Sequence, residues 1–139
     1  MSEDHSGTCL CGAVRFRTRG QLRGVLYCHC SQCRRQSGHF VAMTSAPVAD
    51  LAIDGAENLA WYSATPEARR GFCRNCGSFL FWRQQGSEDV SISAGALDKP
   101  TGLRGESHIF VDDKGDYYQI DDALPKFHTW TDRIESSDR

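Results

Sequence analysis

Seven cysteines are the residues of this chain best suited to chemistry, and they occur in three close groups. Two of the groups are tight chelates followed by glycine: CLCG at residues 9–12 and CRNCG at residues 73–77. A structural zinc ion takes four tetrahedral ligands, and two such pairs supply four thiolates. The spacing therefore predicts one closed zinc site, whose ligands are Cys9, Cys11, Cys73 and Cys76.

The third group is Cys28, Cys30 and Cys33, whose mixed spacing brings three thiolates together if an extended segment runs into a helical turn. Three protein ligands leave a fourth position for water or substrate, which is the form of catalytic zinc sites. One alternative is a closed structural centre with a histidine as the fourth ligand, and the candidates are His29, His39 and His108. Another is that the thiols only pack in the core, which does not suit seven unpaired cysteines in chelating groups.

Composition and charge indicate the kind of protein in which these groups occur. A chain of 139 residues, 40% hydrophobic and 24% charged, predicts a single globular domain over residues 1–139. The N-terminus is acidic where a signal peptide is basic, and no apolar run reaches the roughly 18 residues that span a bilayer. We therefore expect a cytoplasmic protein with reduced cysteines and no membrane contact. The net charge of −2 argues against nucleic acid as a partner.

The segments that must position the cysteines are short and rich in β-branched and aromatic residues, which is typical of strands. Strands are predicted at residues 13–17, 24–27, 40–44, 78–82, 89–93 and 108–111. One short helix is expected at residues 31–36, where Ser31 can cap the first turn and Gly38 can end the last. The sequence thus predicts an all-β fold with one short helix, followed by a polar tail at residues 128–139 that frays.

Five short motifs occur in order along the chain. They are GTCLCGAV at residues 7–14, CHCSQCR at 28–34 followed by SG at 37–38, RGFCRNCG at 70–77, AGALD at 94–98 and HIF at 108–110. With these motifs, residues 7–127 resemble the glutathione-dependent formaldehyde-activating enzyme family, whose domain also occurs in centromere protein V. The resemblance implies an Mss4-like fold of β-sheets that carry metal at knuckles between strands. It also implies structural zinc at Cys9, Cys11, Cys73 and Cys76, and catalytic zinc at Cys28, Cys30 and Cys33.

The reaction that the resemblance implies is the reversible addition of glutathione to formaldehyde, by a zinc-dependent carbon–sulfur lyase-type enzyme. An open zinc site with three thiolate ligands suits this chemistry, because a soft thiol binds it better than water and coordination favours the nucleophilic thiolate. The expected partners are glutathione or a similar thiol and an aldehyde, and the expected cofactor is two zinc ions per chain. Arg34, beside Cys33, is the candidate partner of a substrate carboxylate.

One segment departs from the family pattern. The family often has a lysine-small-Pro-Trp run near its C-terminal end, where this chain reads KGDYY at residues 114–118. The departure bears on the substrate pocket more than on the fold.

Two other functions remain as hypotheses. A non-catalytic zinc-binding or thiol-carrier module, mediating protein or nucleic-acid interaction, has the same cysteines as an enzyme. A methionine sulfoxide reductase of similar fold needs a redox cysteine outside the metal sites, but no cysteine follows Cys76.

Overall fold

The computed structural model describes residues 3–134, and in this part the chain forms ten strands and one α-helix. The strands are β1 His5–Thr8, β2 Arg15–Thr18, β3 Val25–Cys28, β4 Val41–Pro47, β5 Leu51–Asp54, β6 Leu59–Thr65, β7 Ala68–Cys73, β8 Phe79–Gln84, β9 Asp89–Ser93 and β10 Gly105–Ile109, and the helix is α1 Ser31–Ser37. The predicted mainly β, Mss4-like class is therefore confirmed. Within these residues, no helix has both the length and the apolar character needed to cross a membrane.

The first of two compact units contains the chain up to Arg23 together with Thr44–Leu103. Its three-stranded antiparallel sheet has the order β1-β2-β5, and β9, β8, β7 and β6 follow one another as neighbours in a second sheet. Residues of both sheets share one hydrophobic core. In that core, the rings of Phe16 and Phe81 meet edge to face with their centroids 5.3 Å apart. Burial of such aromatic side chains stabilises this core.

The second unit contains Gly24–Met43 and the chain from Arg104 onward. Strand β3 is parallel to β10 on one side and antiparallel to the first part of β4 on the other. Backbone hydrogen bonds hold residues 125–127 beside β10, since His108 N donates to Pro125 O and Phe127 N to His108 O, both over 2.9 Å. The C-terminal segment is thereby fixed next to His108.

Helix α1 begins one residue earlier than its predicted cap implies. The N-cap is Cys30, whose sulfur accepts a hydrogen bond from Cys33 N over 3.3 Å, so the prediction that Ser31 caps the helix is wrong. Sulfur is a weaker acceptor than a hydroxyl oxygen, and sequence rules of capping therefore favour serine. The predicted end is confirmed, because Gly38 has the left-handed φ of 86° and donates to Arg34 O.

All six predicted strands overlap observed strands, whereas β1, β5, β6 and β7 were not predicted. Strand β7 reads ARRGFC and β1 reads HSGT, and neither shows the apolar alternation on which strand prediction depends. Their pairing with neighbouring strands decides their conformation instead. The single domain over residues 1–139 stays a prediction, and residues 135–139 of the predicted polar tail lie outside the described residues.

Gly55 provides a test of this packing. A Cβ atom added there would lie 2.0 Å from Ala13 O, and the residue already has a left-handed φ of 82°. We expect Gly55→Ala to lower the free energy of unfolding by more than the ~1–2 kcal/mol that a left-handed alanine alone costs, because the clash adds to that cost. The control is Gly20→Ala, where φ is 80° and nothing lies within 4 Å of the added carbon. Urea unfolding of both variants at saturating metal measures the difference, and equal losses would contradict the predicted clash.

Candidate metal centres

Two loops of the first unit carry the CLCG and CRNCG motifs, and their backbones fold alike. Cys9 N donates to Val14 O over 3.0 Å, and Cys73 N donates to Ser78 O over 2.9 Å. Inside each loop, the glycine that follows the second cysteine donates back to the carbonyl of the first. Both glycines, Gly12 and Gly77, have the left-handed φ of 83° that such a tight turn requires.

The folding of these loops brings four sulfur atoms together. The Sγ atoms of Cys9, Cys11, Cys73 and Cys76 all lie within 4.8 Å of one another. Neighbouring sulfurs are 3.7 Å apart between Cys9 and Cys11 and 3.8 Å apart between Cys11 and Cys73. Four thiolates arranged tetrahedrally at about 2.3 Å from a zinc ion would lie about 3.8 Å apart. The donor set and its dimensions therefore fit a closed tetrathiolate zinc site.

Hydrogen-bond donors surround the same sulfurs. The sulfur of Cys73 accepts from the backbone N–H groups of Asn75 and Cys76, and the Asn75 side-chain amide donates to Cys11 over 3.2 Å. The Ser78 hydroxyl lies 3.2 Å from Cys76 Sγ. Its hydrogen bond, followed by that from Ser78 N, lowers the pKa of Cys76 to about 5. Such donors stabilise thiolate, the form in which cysteine binds metals.

The second unit brings Cys28, Cys30 and Cys33 together, with their sulfurs within 4.8 Å of one another. Cys28 ends β3, Cys30 caps α1, and Cys33 is buried in the first turn of that helix. The sequence predicted this arrangement of an extended segment that runs into a helical turn. Among residues 3–134, this group contains no fourth cysteine, histidine or carboxylate.

Hydrogen bonds shift the pKa values of these cysteines in different directions. Those from Cys28 and Cys33, and then those from backbone N–H groups of the first helical turn, lower the pKa of Cys30 to about 2. The same neighbouring sulfurs raise the pKa of Cys28 well above its usual range, because a second anion would lie beside the first. A cation that binds all three sulfurs favours thiolate at every position, so the donor set fits a metal with a preference for sulfur.

The three histidines that could have closed this site are engaged elsewhere. His29 Nδ1 forms a hydrogen bond with the Tyr118 hydroxyl over 2.5 Å. The other ring nitrogen, Nε2, forms one with His108 Nδ1 over 2.9 Å. His108 Nε2 forms a hydrogen bond with Asp122 Oδ2 over 2.8 Å. His39 lies within 2.9 Å of the Tyr117 hydroxyl through Nδ1. The structure does not place any of these imidazoles in the cysteine group.

His29 and His108 instead form the buried middle of a hydrogen-bonded chain that runs from Asp122 to Tyr118. The two histidines are 1% and 5% exposed. Because a carboxylate only accepts, His108 donates to Asp122 through Nε2, and the His29–His108 and His29–Tyr118 hydrogen bonds continue the chain. Burial, and then the neighbouring His108 and His39, lower the pKa of His29 to about 4, which keeps it neutral at pH 7. This chain ties the backbone between Cys28 and Cys30 to the C-terminal segment.

Sequence reasoning missed the roles of Tyr118 and Asp122. The signal that could have found them is the departure at residues 114–118, since Tyr117 and Tyr118 of that segment contact His39 and His29. Arg34, the candidate substrate ligand, donates through Nε to Asp113 O over 3.3 Å and lies near Tyr118. The segment thus contacts α1 and the residues that follow it.

Replacement of His108 tests the buried chain. His108→Ala removes the hydrogen-bond partner of His29 Nε2 and opens a cavity, so we expect the free energy of unfolding to fall by about 3 kcal/mol. The matched control is His128→Ala, because His128 also pairs with a carboxylate, Asp112, but on the surface. An exposed pair contributes about 0–1 kcal/mol. Urea unfolding compares the two, and similar losses would contradict a special role of the buried chain.

Comparison with known proteins identifies the family of this chain. The family model described as glutathione-dependent formaldehyde-activating enzyme matches residues 4–113, which include all seven cysteines and end before the segment at 114–118. A provisionally named glutathione-dependent formaldehyde-activating enzyme of Halomonas elongata is 31% identical over 83% of this chain and 80% of its own length. An uncharacterized lyase of Schizosaccharomyces pombe is 26% identical over 89% of this chain and 90% of its own.

A solved structure is also similar. The crystal structure of a Rhodobacter sphaeroides protein has 32% sequence identity and a TM-score of 0.58, and the match covers 72% of this chain and 97% of that one. The family model covers well over half of the chain, and the two relatives match it over most of their own length. The chain therefore belongs to the glutathione-dependent formaldehyde-activating enzyme family.

Proposed function

We propose that the chain is a zinc-dependent carbon–sulfur lyase that joins glutathione, or a similar thiol, to formaldehyde and also catalyses the reverse reaction. Family membership supports the reaction class. The observation that carries the proposal is the convergence of Cys28, Cys30 and Cys33 without a fourth protein ligand among the described residues. Three ligands are the number that a catalytic zinc site provides when the fourth position serves a substrate.

The two cysteine groups hold zinc for different purposes in this proposal. Cys9, Cys11, Cys73 and Cys76 form the closed structural site, and Cys28, Cys30 and Cys33 form the catalytic site. When zinc is bound to the second group, it supplies a site for a soft thiol and favours the thiolate form of that thiol. The chain's own residues hold the three sulfurs in position, through the cap of α1 and the buried histidine chain.

The proposed addition of a thiol to an aldehyde needs no oxidant or reductant. In the forward direction the substrate thiol loses its proton, a bond forms between sulfur and the aldehyde carbon, and the carbonyl oxygen takes up a proton to become a hydroxyl group. In the reverse direction that hydroxyl loses its proton, the carbon–sulfur bond breaks, and sulfur keeps the electron pair.

Arg34 is our candidate for binding a carboxylate of the thiol substrate. Its Nε is occupied by Asp113 O, and it makes no ion pair within residues 3–134. The terminal N–H groups of a guanidinium held in this way can bind a carboxylate through two parallel hydrogen bonds. Arg34 follows Cys33 directly, which places its backbone beside the catalytic group.

The two sites should lose metal at different rates. We expect two zinc ions per chain, and mild chelation should remove the ion at Cys28, Cys30 and Cys33 first, because three ligands protect a metal less than four do. Elemental analysis after timed chelation measures the metal remaining, and circular dichroism measures the fold. Loss of both ions together with the fold would contradict the division of ligands.

Paired substitutions provide the control for that experiment. Cys76→Ser should lower the zinc content by one ion and unfold or aggregate the protein, because structural zinc binding is coupled to folding. Cys30→Ser should lower the zinc content equally but leave most of the fold. A stable Cys76→Ser protein with full zinc content would refute the structural assignment.

The substrate thiol should bind through its sulfur. With cobalt at the catalytic group, glutathione should change the cobalt absorption bands, whereas S-methylglutathione should bind at least ~10-fold more weakly because its sulfur is blocked. Unchanged bands on thiol addition, together with bands that shift in His29→Ala or His39→Ala, would indicate a site closed by histidine. Such a result would favour the non-catalytic module.

The rate of exchange distinguishes an enzyme from a protein that only binds the thiol. NMR exchange between glutathione, formaldehyde and their adduct should accelerate with the amount of protein, and Cys30→Ser should lose at least ~10-fold of that acceleration. Binding of the thiol without any acceleration of exchange would identify a carrier.

A further inference from the structure

The outer end of strands β6, β7 and β8, in the first unit, has an unusual pair of charges. Arg69 of β7 and Arg83 of β8 are directly opposite each other in the antiparallel register. Like charges at directly opposite positions destabilise a sheet, and arginine does not relieve the repulsion by losing its proton. A ligand that offsets this repulsion would favour the pair.

The two arginines lie on the same face of the sheet as the buried Phe81. Arg69 is two residues from Gly71 and Arg83 two residues from Phe81, and Gly71 and Phe81 are themselves opposite each other. Residues two apart in a strand share a face. Phe81 is fully buried, so this face passes from the core to the two guanidinium groups.

Contacts within the unit hold both side chains without neutralising either. The guanidinium carbon of Arg69 lies 4.2 Å from the centre of the Trp61 ring. Arg83 donates through Nη2 to Ser87 O over 3.0 Å, which uses one of its five donors. Neither arginine makes an ion pair with another residue of the range 3–134. The two positive charges are thus held in place but not paired with a carboxylate of the described residues.

Both arginines line a groove of about 380 Å³. Its other polar side chains are uncharged, and its lining contains no carboxylate: the residues include Ser63, Ala68, Gln84 and Gln85. Hydroxyl and carboxamide groups can donate further hydrogen bonds to oxygen atoms. A groove with two fixed cations, neutral donors and no anion suits an anionic ligand.

We propose that this Arg69/Arg83 groove binds the phosphate group of a small phosphate monoester. A monoester phosphate carries a charge of about −1.5 to −2 near neutral pH, which matches two guanidinium groups better than the single charge of a carboxylate. Bound phosphate removes the repulsion between the arginines and accepts bidentate hydrogen bonds from each. The site belongs to the first unit and uses none of the cysteines.

NMR titration at constant ionic strength tests the proposal. Inorganic phosphate and glycerol phosphate should each cause saturable shifts of the Nε–Hε signals of Arg69 and Arg83, and acetate should bind at least ~10-fold more weakly. Tighter binding of glycerol phosphate than of inorganic phosphate supports an ester as the ligand. Equal or stronger binding of inorganic phosphate, or of acetate, would overturn the choice of a monoester.

Substitutions distinguish a binding site from ordinary surface charge. Arg69→Gln and Arg83→Gln should each weaken phosphate binding at least ~10-fold, and phosphate should raise the thermal midpoint of the wild type but not of the double variant. Arg17→Gln is the matched control, because Arg17 is an exposed arginine on β2. If the double variant and the control respond to phosphate as the wild type does, the groove is not a phosphate site.

Discussion

The convergence of four cysteine sulfurs is the constraint on which the first unit depends. Unit negative charges at separations near 3.8 Å repel one another by about 1 kcal/mol per pair even in water, and by several times more inside a protein. The unit therefore needs neutralising groups at this point, and the loops at residues 9–14 and 73–78 provide backbone and side-chain donors. Because one cysteine pair follows β1 and the other lies at the end of β7, satisfying this constraint fixes two strands that are remote in sequence.

In the second unit the cysteine group contains three sulfurs instead of four. Three sulfurs converge there, and the imidazoles that could have joined them are satisfied by a tyrosine, a carboxylate and each other. Buried polar groups need such partners, since an unsatisfied imidazole nitrogen is costly in the interior. The partners that make His29 and His108 stable in the core also remove them as metal ligands. A polar network that includes His29, between Cys28 and Cys30, thereby keeps these imidazoles out of the cysteine group.

The cysteine groups were predictable because chelation depends on local spacing, and spacing is visible in the sequence. The predicted strands were predictable for a similar reason, since β3 and β9 contain enough apolar residues to be identified from their own sequence. Strands β6 and β7 were not, because cross-strand pairing with each other and with β8 supports their conformation where their own residues show little apolar alternation. Tyr118 and Asp122 were missed because they reach His29 and His108 across intervals of 89 and 14 residues. No local pattern encodes those contacts.

The cap of α1 has a consequence for how the second unit responds to chemical change. The sulfur of Cys30 belongs to the cysteine group and also accepts the hydrogen bond of Cys33 N that starts the helix. Alkylation or oxidation of this one atom removes an acceptor from the first turn, where a lost cap costs about 1 kcal/mol. In a helix of only seven residues that is a large share of its stability. We therefore expect modification of this one sulfur to weaken the first turn of α1.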